Sequence, residues 1–339
     1  MLLLTEVEVS RRFVMPRRYG GMPIDDFDAL CRRIVKALAV NNRQFLASGV
    51  VDVHKKASYA GVAAADVFTV ADKSSEALFA ELACEFPQSI GYIGEEGLRR
   101  PCTLGDCDIY ITIDPLDGTR MYITALNEGR QLRPGEVSAM LGVLVGPKNE
   151  PSMLKSVAGY VCDVADDTLY SLSPNGSCVE VTKGLNIVDS VKLQTARRAN
   201  TGYLAIHKSQ SPSAVDFVAD GEVARLLTTS AKDGGIFGNV GVEFGSVGLR
   251  VANVFNGQYS ALLRPNCQSF CTPWDEAPLQ AFCRMGNAKT FAILPDRLQE
   301  VVIADGVINK ISRREHDILY LPLNFLREVK RKGIEVVTL

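Results

Sequence analysis

Two carboxylates, Asp114 and Asp117, stand three residues apart within Ile-Tyr-Ile-Thr-Ile-Asp-Pro-Leu-Asp-Gly-Thr-Arg-Met-Tyr-Ile, residues 109–123. Hard divalent cations bind clustered carboxylate oxygens, and a phosphate ester needs positive charge around it while it is displaced, so this spacing suits both. The residues before Asp114 alternate β-branched and aromatic side chains, as in a strand buried on at least one face. Pro115 holds Asp114 in extended geometry and has no N–H for a ladder, so the strand is expected to stop at Asp114-Pro115. Asp117-Gly118-Thr119 then has the residue types of a helix start. There Gly lets backbone N–H groups approach a ligand, and the helix end attracts phosphate. A surface Asp-Pro-x-Asp-Gly turn uses the same residues, so the pentapeptide alone does not decide the matter.

Other acidic stretches shift the balance. In Ile93-Gly94-Glu95-Glu96-Gly97 a glycine follows an apolar strand end and lets a carboxylate turn inward. Trp274-Asp275-Glu276-Ala277-Pro278 places the only Trp of the chain before an acid at an apparent helix start. Asp66-Val67-Phe68-Thr69-Val70-Ala71-Asp72 is followed by Ser75-Glu76, which opens a helix with apolar Leu78, Phe79, Leu82 and Phe86. Each signal is weak alone, since a Glu pair in a loop is usually solvated and an Asp before a helix is usually a cap.

In this order, Asp-x-Phe-Thr-x-x-Asp, Gly-Glu-Glu, Asp-Pro-Leu-Asp-Gly-Thr and Trp-Asp-x-Ala resemble the inositol monophosphatase family, from about Ile24 to Phe282. That family groups with the 3'(2'),5'-bisphosphate nucleotidases and fructose-1,6-bisphosphatases, magnesium-dependent phosphomonoesterases that are often inhibited by lithium. The resemblance implies a layered αβαβα sandwich of the sugar-phosphatase type, α+β or α/β in class. Its metal site would lie between an N-terminal half, residues 1–190, and a C-terminal half, residues 191–339. It also implies two or three Mg²⁺ ions held by Glu95, Asp114, Asp117 and the carbonyl of Leu116, with Asp275 arriving from the second half. By the same resemblance, the N–H groups of Gly118 and Thr119 grip phosphate oxygens. Thr119 and Asp72 then act together on the attacking water, the hydroxyl relaying its proton to the acid.

The substrate is less constrained. Inositol monophosphatases commonly place a Glu a few residues before Trp-Asp, whereas no carboxylate lies between Gly257 and Trp274 here. Arg264, if it faces the pocket, favours a second anionic group, because guanidinium pairs with phosphate bidentately; a solvated loop arginine is the plain alternative. Arg120-Met121-Tyr122 after Asp-Gly-Thr is nearer to the nucleotidases. The small phosphorylated substrate is therefore divided between inositol monophosphate and 3'-phosphoadenosine 5'-phosphate. A fructose bisphosphatase is less favoured, since those enzymes usually have Asp-Gly-Ser where this chain has Asp-Gly-Thr. An inactive metal- or phosphate-binding regulatory protein is the reading of another class, and the presence of all four carboxylates and Thr119 counts against it.

The positioning elements can be sketched from composition and periodicity. The chain has 339 residues, a formal net charge of -2 and 47% hydrophobic residues, enough for a sizeable core and without a general pull toward nucleic acid. No apolar run of about 18 residues suggests a membrane span, and Met1-Leu2-Leu3-Leu4 before Thr5-Glu6 is short for a secretory signal. Nine cysteines without Cys-x-x-Cys pairs read as reduced thiols of a cytoplasmic protein, and Cys267 and Cys271 as loop thiols. Residues Met1 to Pro23 read as a loose arm, and Ile24 to about Leu46 as an amphipathic helix. Lys55-Lys56 falls where family members often carry a lysine. Asn127 to Glu136 reads as a loop, and Val137–Val145, Ser156–Val161 and Thr168–Leu172 as strands. The stretch from Gly184 to Ala199 reads as a link between halves, Leu204–Ser209 as a strand leading to a helix start at Ser211-Pro212, and His207 as structural or solvated. Gly245–Val254 resembles the Gly-Ser helix of the family, with a strand at Gly257–Leu263. The family pattern weakens from Met285 onward. Homodimers are common in the family, and nothing in the sequence marks an interface.

Overall fold

A computed structural model describes residues 18–50, 53–55, 67–100, 106–150, 153–184, 186–191, 202–208, 221–264, 273–285, 288–301 and 317–338. Helix α1, Ile24–Ser48, buries Phe27, Leu30, Cys31, Ile34, Val35, Leu38 and Ala39 at helical spacing and ends at Gly49, whose φ of 66° is left-handed. Ahead of it, Arg18–Tyr19 pairs with Met22–Pro23. Tyr19 is wholly buried, with its ring 4.8 Å from that of Phe27, so this part of the expected loose arm is packed. Residues 1–17 lie outside the described residues.

Helix α2, Val70–Leu82, begins earlier than Ser75-Glu76. The reason is a capping box: Thr69 accepts from the Ala71 N–H at 3.2 Å, while Asp72 accepts from the Thr69 N–H at 2.6 Å. Phe86 lies beyond the end of this helix but remains in the core. Helix α3 is Thr119–Glu128.

The first sheet has eight strands in the order Asn186–Val191, Val179–Lys183, Thr168–Leu172, Lys155–Asp163, Ser138–Val145, Ile109–Asp117, Ile90–Gly94, Arg99–Arg100. Only the pairing of Ile90–Gly94 with Ile109–Asp117 is parallel among its described strand pairs. Asn186–Val191 occupies much of the expected link, which is therefore partly an edge strand. The central strand does not stop at Asp114-Pro115 but continues to Asp117, with a register shift between Asp114 and Asp117. Pro115 falls in that irregularity, where a missing N–H breaks no ladder bond.

Helices α4 (Glu222–Thr228), α5 (Val247–Phe255), α6 (Pro273–Met285) and α7 (Leu323–Arg331) accompany the second sheet. Its seven strands run Asn239–Phe244, Tyr203–Lys208, Ala261–Arg264, Asp317–Pro322, Ala288–Ile293, Arg297–Glu300, Glu335–Val337. Alternation along these strands sorts the core into layers. Ile111, Ile113, Leu141 and Val143 face α1 and α2. Met140 and Val161, of opposite parity, share a cluster with α5, α6 and the near face of the second sheet, including Ala205, Leu262 and Ile318. Leu204, Leu263, Phe291 and Leu319 face α4 and α7. The result is the αβαβα sandwich.

Helix α6 lies against a flat place in the first sheet. Gly142 and Gly159 are cross-strand partners. A Cβ on Gly142 would sit 2.6 Å from the Ala277 Cβ, and one on Gly159 would sit 2.5 Å from the Pro278 carbonyl oxygen. The Ser156 hydroxyl donates to the Ala277 carbonyl, which holds the same turn of the helix against the sheet.

Candidate active site

Asp114 is 3% exposed, and its Oδ1 accepts from the Leu116 N–H at 2.9 Å, which folds the chain back after Pro115. From beneath, the wholly buried Asn42 of α1 donates to the Pro115 carbonyl at 2.7 Å. Asn42 is itself held: Ser75 donates to its Oδ1 at 2.6 Å and the Tyr122 hydroxyl to its carbonyl at 2.8 Å. Through its side-chain amide and its backbone carbonyl, one residue thus ties α1, α2 and α3 to the turn. Asp117 Oδ2 accepts from the Ser246 hydroxyl, the Gly248 N–H at 2.9 Å and the Ser138 hydroxyl at 3.3 Å. A carboxylate at the start of α5 suits the partial positive charge there. Between Asp117 and α3, Gly118 adopts φ 98°, and a Cβ there would meet the Glu136 carbonyl oxygen at 2.5 Å, so this corner requires glycine.

Glu95 follows the strand Ile90–Gly94, and its N–H donates to the Ile113 carbonyl at 3.1 Å, beside Asp114. Its loop is shaped by Glu76 of α2, whose Oε1 accepts from the N–H groups of Glu96 at 3.1 Å and Leu98 at 3.3 Å. Asp275 comes from the first turn of α6, across the sandwich. The four acids therefore reach one region from three separate segments. Burial pushes the Asp114 carboxyl well above the usual carboxylate range, and the charges of Glu95, Asp117 and Asp275 add to the shift. Burial also pushes Asp275 up to about 8, against the pull of Arg264, with Glu95, Asp117 and Glu276 repelling it. Asp117 is raised by burial and restrained by its bonds to Ser246 and Gly248.

A second arrangement borders the first. Thr119 Oγ1 lies 3.3 Å from Asp72 Oδ1 and 2.9 Å from the Leu116 carbonyl. Asp72 is wholly buried, and its other oxygen accepts from the Thr69 N–H and hydroxyl, both at 2.6 Å. Its carboxylate is thereby fixed with one oxygen toward Thr119.

The inositol monophosphatase family model matches residues 32–287, well over half of the chain. The protein belongs to the inositol monophosphatase family. Membership makes it a phosphatase of a metal-dependent family, and its solved neighbours have the same fold. The extragenic suppressor protein SuhB from Bartonella henselae shares 14% identity over 91% of this chain and 98% of its own, with a TM-score of 0.61. The inositol monophosphatase of Thermotoga maritima shares 14% identity over 91% and 96%, with a TM-score of 0.57. Inositol monophosphatase II of Staphylococcus aureus, captured with 2'-AMP, shares 14% identity over 90% and 93%, with a TM-score of 0.59. A comparison with curated proteins finds no match.

The donor chemistry of this candidate site suits a hard cation: four carboxylates from three segments, with Asp114 buried and Glu95, Asp117 and Asp275 half-buried, and with like charges repelling. Among the described residues, no three His, Cys, Asp or Glu side chains are closed around a common metal position. The oxygens are instead engaged by protein donors, Asp117 by Ser246 and Gly248 and Asp275 by Arg264.

Arg264 does face the cluster. Its guanidinium lies 3.1 Å from Glu276 Oε1 and 3.6 Å from Asp275 Oδ2, so it is already paired with carboxylates. His207 is buried rather than solvated: it is 7% exposed, and burial together with Arg264 and Arg250 pushes its pKa down to about 3, so it is neutral near pH 7. The side chains of Lys55 and Lys56, both loop thiols Cys267 and Cys271, and the Ser211-Pro212 helix start lie outside the described residues. The residues that hold the site and that sequence reasoning passed over are Asn42, Ser138, Gly142 and Gly159. A glycine pair in neighbouring strands was the available signal for the last two.

Proposed function

We propose that this protein is a Mg²⁺-dependent phosphomonoesterase in which Glu95, Asp114, Asp117, Asp275 and the Leu116 carbonyl hold the cations. The observation that carries the reading is the buried Asp114 carboxyl, raised first by burial and further by Glu95, Asp117 and Asp275, so that acids from three segments of the chain act on one another. Two or three Mg²⁺ ions, when bound, would neutralise the phosphate and acidify the attacking water. The chain supplies the rest. Gly118 and Thr119 present their N–H groups at the start of α3, where a phosphate oxygen is favoured by the helix end. Thr119 takes up the proton of the water as its own hydroxyl proton passes to Asp72 Oδ1, which its bonds from Thr69 keep aimed at that hydroxyl. Residues 1–190 and 191–339 form two halves, and cation binding at Asp275 couples them.

The substrate is a small monophosphate ester of the inositol monophosphate type. Pairing of Arg264 with Glu276 and Asp275 supports this choice over 3'-phosphoadenosine 5'-phosphate, because a second phosphate would have to displace a carboxylate. The test is phosphate release by malachite green over a panel of inositol phosphates, nucleoside monophosphates and 3'-phosphoadenosine 5'-phosphate, with and without Mg²⁺. Release that needs Mg²⁺ and disappears in Asp114→Asn supports the reading. Release that persists at the parent rate in that variant refutes it, and none across the panel while the protein still binds cations would indicate a regulatory protein.

A further inference from the structure

Arg264 stands at the end of the strand Ala261–Arg264, and its side chain is 11% exposed. Two groups anchor one end of its guanidinium. Nη1 lies 3.1 Å from Glu276 Oε1 and 3.4 Å from the Tyr320 hydroxyl, and Tyr320 donates to that same Glu276 oxygen at 2.8 Å. Tyr320 comes from the neighbouring antiparallel strand, where it pairs with Leu262. Glu276 is 1% exposed and its second oxygen has no hydrogen-bond partner among the described residues, so Arg264 supplies the counter-charge that this buried acid requires. The other end, Nη2, is left 3.6 Å from Asp275 Oδ2.

We infer that Arg264 is a built-in cation of the carboxylate cluster, which competes with divalent metal for Asp275 and so weakens cation binding on the α6 side of the site. The inference rests on the metal-centre reading above. A carboxylate oxygen that faces a fixed positive charge cannot also give its full charge to a metal ion, and a second positive charge placed beside the guanidinium is repelled by it. Because Glu276 and Tyr320 hold Nη1, the side chain cannot leave without exposing a buried acid. Arg264 therefore sets a ceiling on affinity that the carboxylates alone would not have. The site would take up its cations loosely, and fill on the Asp275 side only when a phosphate brings further negative charge.

The experiment is calorimetric titration of metal-free protein with Mn²⁺, without substrate, for wild type, Arg264→Gln and Arg264→Lys. Arg264→Gln is expected to bind Mn²⁺ at least about tenfold more tightly, within the usual range for coupled sites, and Arg264→Lys to stay within about threefold of wild type because it keeps the charge. Unchanged or weaker binding in Arg264→Gln overturns the inference. Should Glu276 left alone prevent that variant from folding, Arg264→Met with Glu276→Gln removes both buried charges, and it too must bind Mn²⁺ more tightly than wild type. If wild type binds no Mn²⁺ at all, it is the metal-centre reading that fails. Phosphate titration of the Mn²⁺-loaded proteins separates a further outcome: loss of phosphate binding in Arg264→Gln with unchanged Mn²⁺ affinity makes Arg264 a phosphate contact and overturns its role as a competing cation.

Discussion

Gly142→Ala places one methyl group where α6 meets the first sheet. Its Cβ would lie 2.6 Å from the Ala277 Cβ, 2.7 Å from Thr112 Oγ1 and 2.8 Å from the Pro278 Cδ. Ordinary carbon contacts lie at about 3.5–4.0 Å, so the helix must lift by about 1 Å. None of the three atoms is the end of a long flexible side chain, and overpacking of this kind costs about 1–3 kcal/mol. For a chain of 339 residues that lowers the melting temperature by about 1–4 °C. The same displacement carries Asp275, two residues before Ala277 in α6, away from Asp114 and Glu95. A misplacement of about 1 Å in a catalytic group can cost about a hundredfold in rate. The assay pairs thermal unfolding with phosphate release at limiting and saturating Mg²⁺. Ser156→Ala is the control, since it loses only the hydrogen bond to the Ala277 carbonyl at the same contact and is expected to cost about 1 kcal/mol. Melting within about 1 °C of the parent and turnover within about twofold in Gly142→Ala would refute the claim that the glycine pair sets the position of Asp275.

The metal-free protein should lose stability as pH rises. Asp275 is pushed up to about 8, and Asp114 and Asp117 are raised too, so the folded state binds protons that the unfolded chain has released above about pH 4. Stability is thus fully present at the acid end and declines as pH rises through 8, by a few kcal/mol after allowance for solvent at Asp275. Thermal melts from pH 5 to 8.5 should show this decline, and added Mg²⁺ should flatten it. Asn42→Leu removes the donor to the Pro115 carbonyl and leaves the Ser75 hydroxyl without its acceptor. It should cost about 1–3 kcal/mol for each buried group left unpaired, and raise the Mg²⁺ concentration for half-maximal rate, both readable in melts and activation curves. Thr119→Val should lower kcat by about 10²–10⁴-fold with little change in KM, whereas Thr119→Ser should retain most of the rate, because only the hydroxyl faces Asp72.

Much of the site was legible because its chemistry is local in the chain. Asp114, Asp117 and Thr119 lie within six residues, so type and spacing singled out the two acids and the helix start, whereas Asp72 and the task of Thr119 were suggested only by the family resemblance. The long amphipathic face of α1 and the apolar strands of the first sheet were legible for the same reason. What stayed hidden depends on contacts between distant segments. Pro115 read as a stop, yet the ladder resumes past a bulge that Asn42 supports from α1. The early start of α2 was hidden because Ser75-Glu76 is also a good opening, and only the reciprocal bonds between Thr69 and Asp72 decide between them. Arg264 gave no sign in the sequence of its partners, since Glu276 and Tyr320 are 12 and 56 residues away.

The most direct measurement is anomalous diffraction from crystals of the protein grown with Mn²⁺ and inorganic phosphate. The account predicts Mn²⁺ peaks ligated by Glu95, Asp114, Asp117 and Asp275, with phosphate at the N–H groups of Gly118 and Thr119. Peaks at other carboxylates, with none at these four, would contradict it.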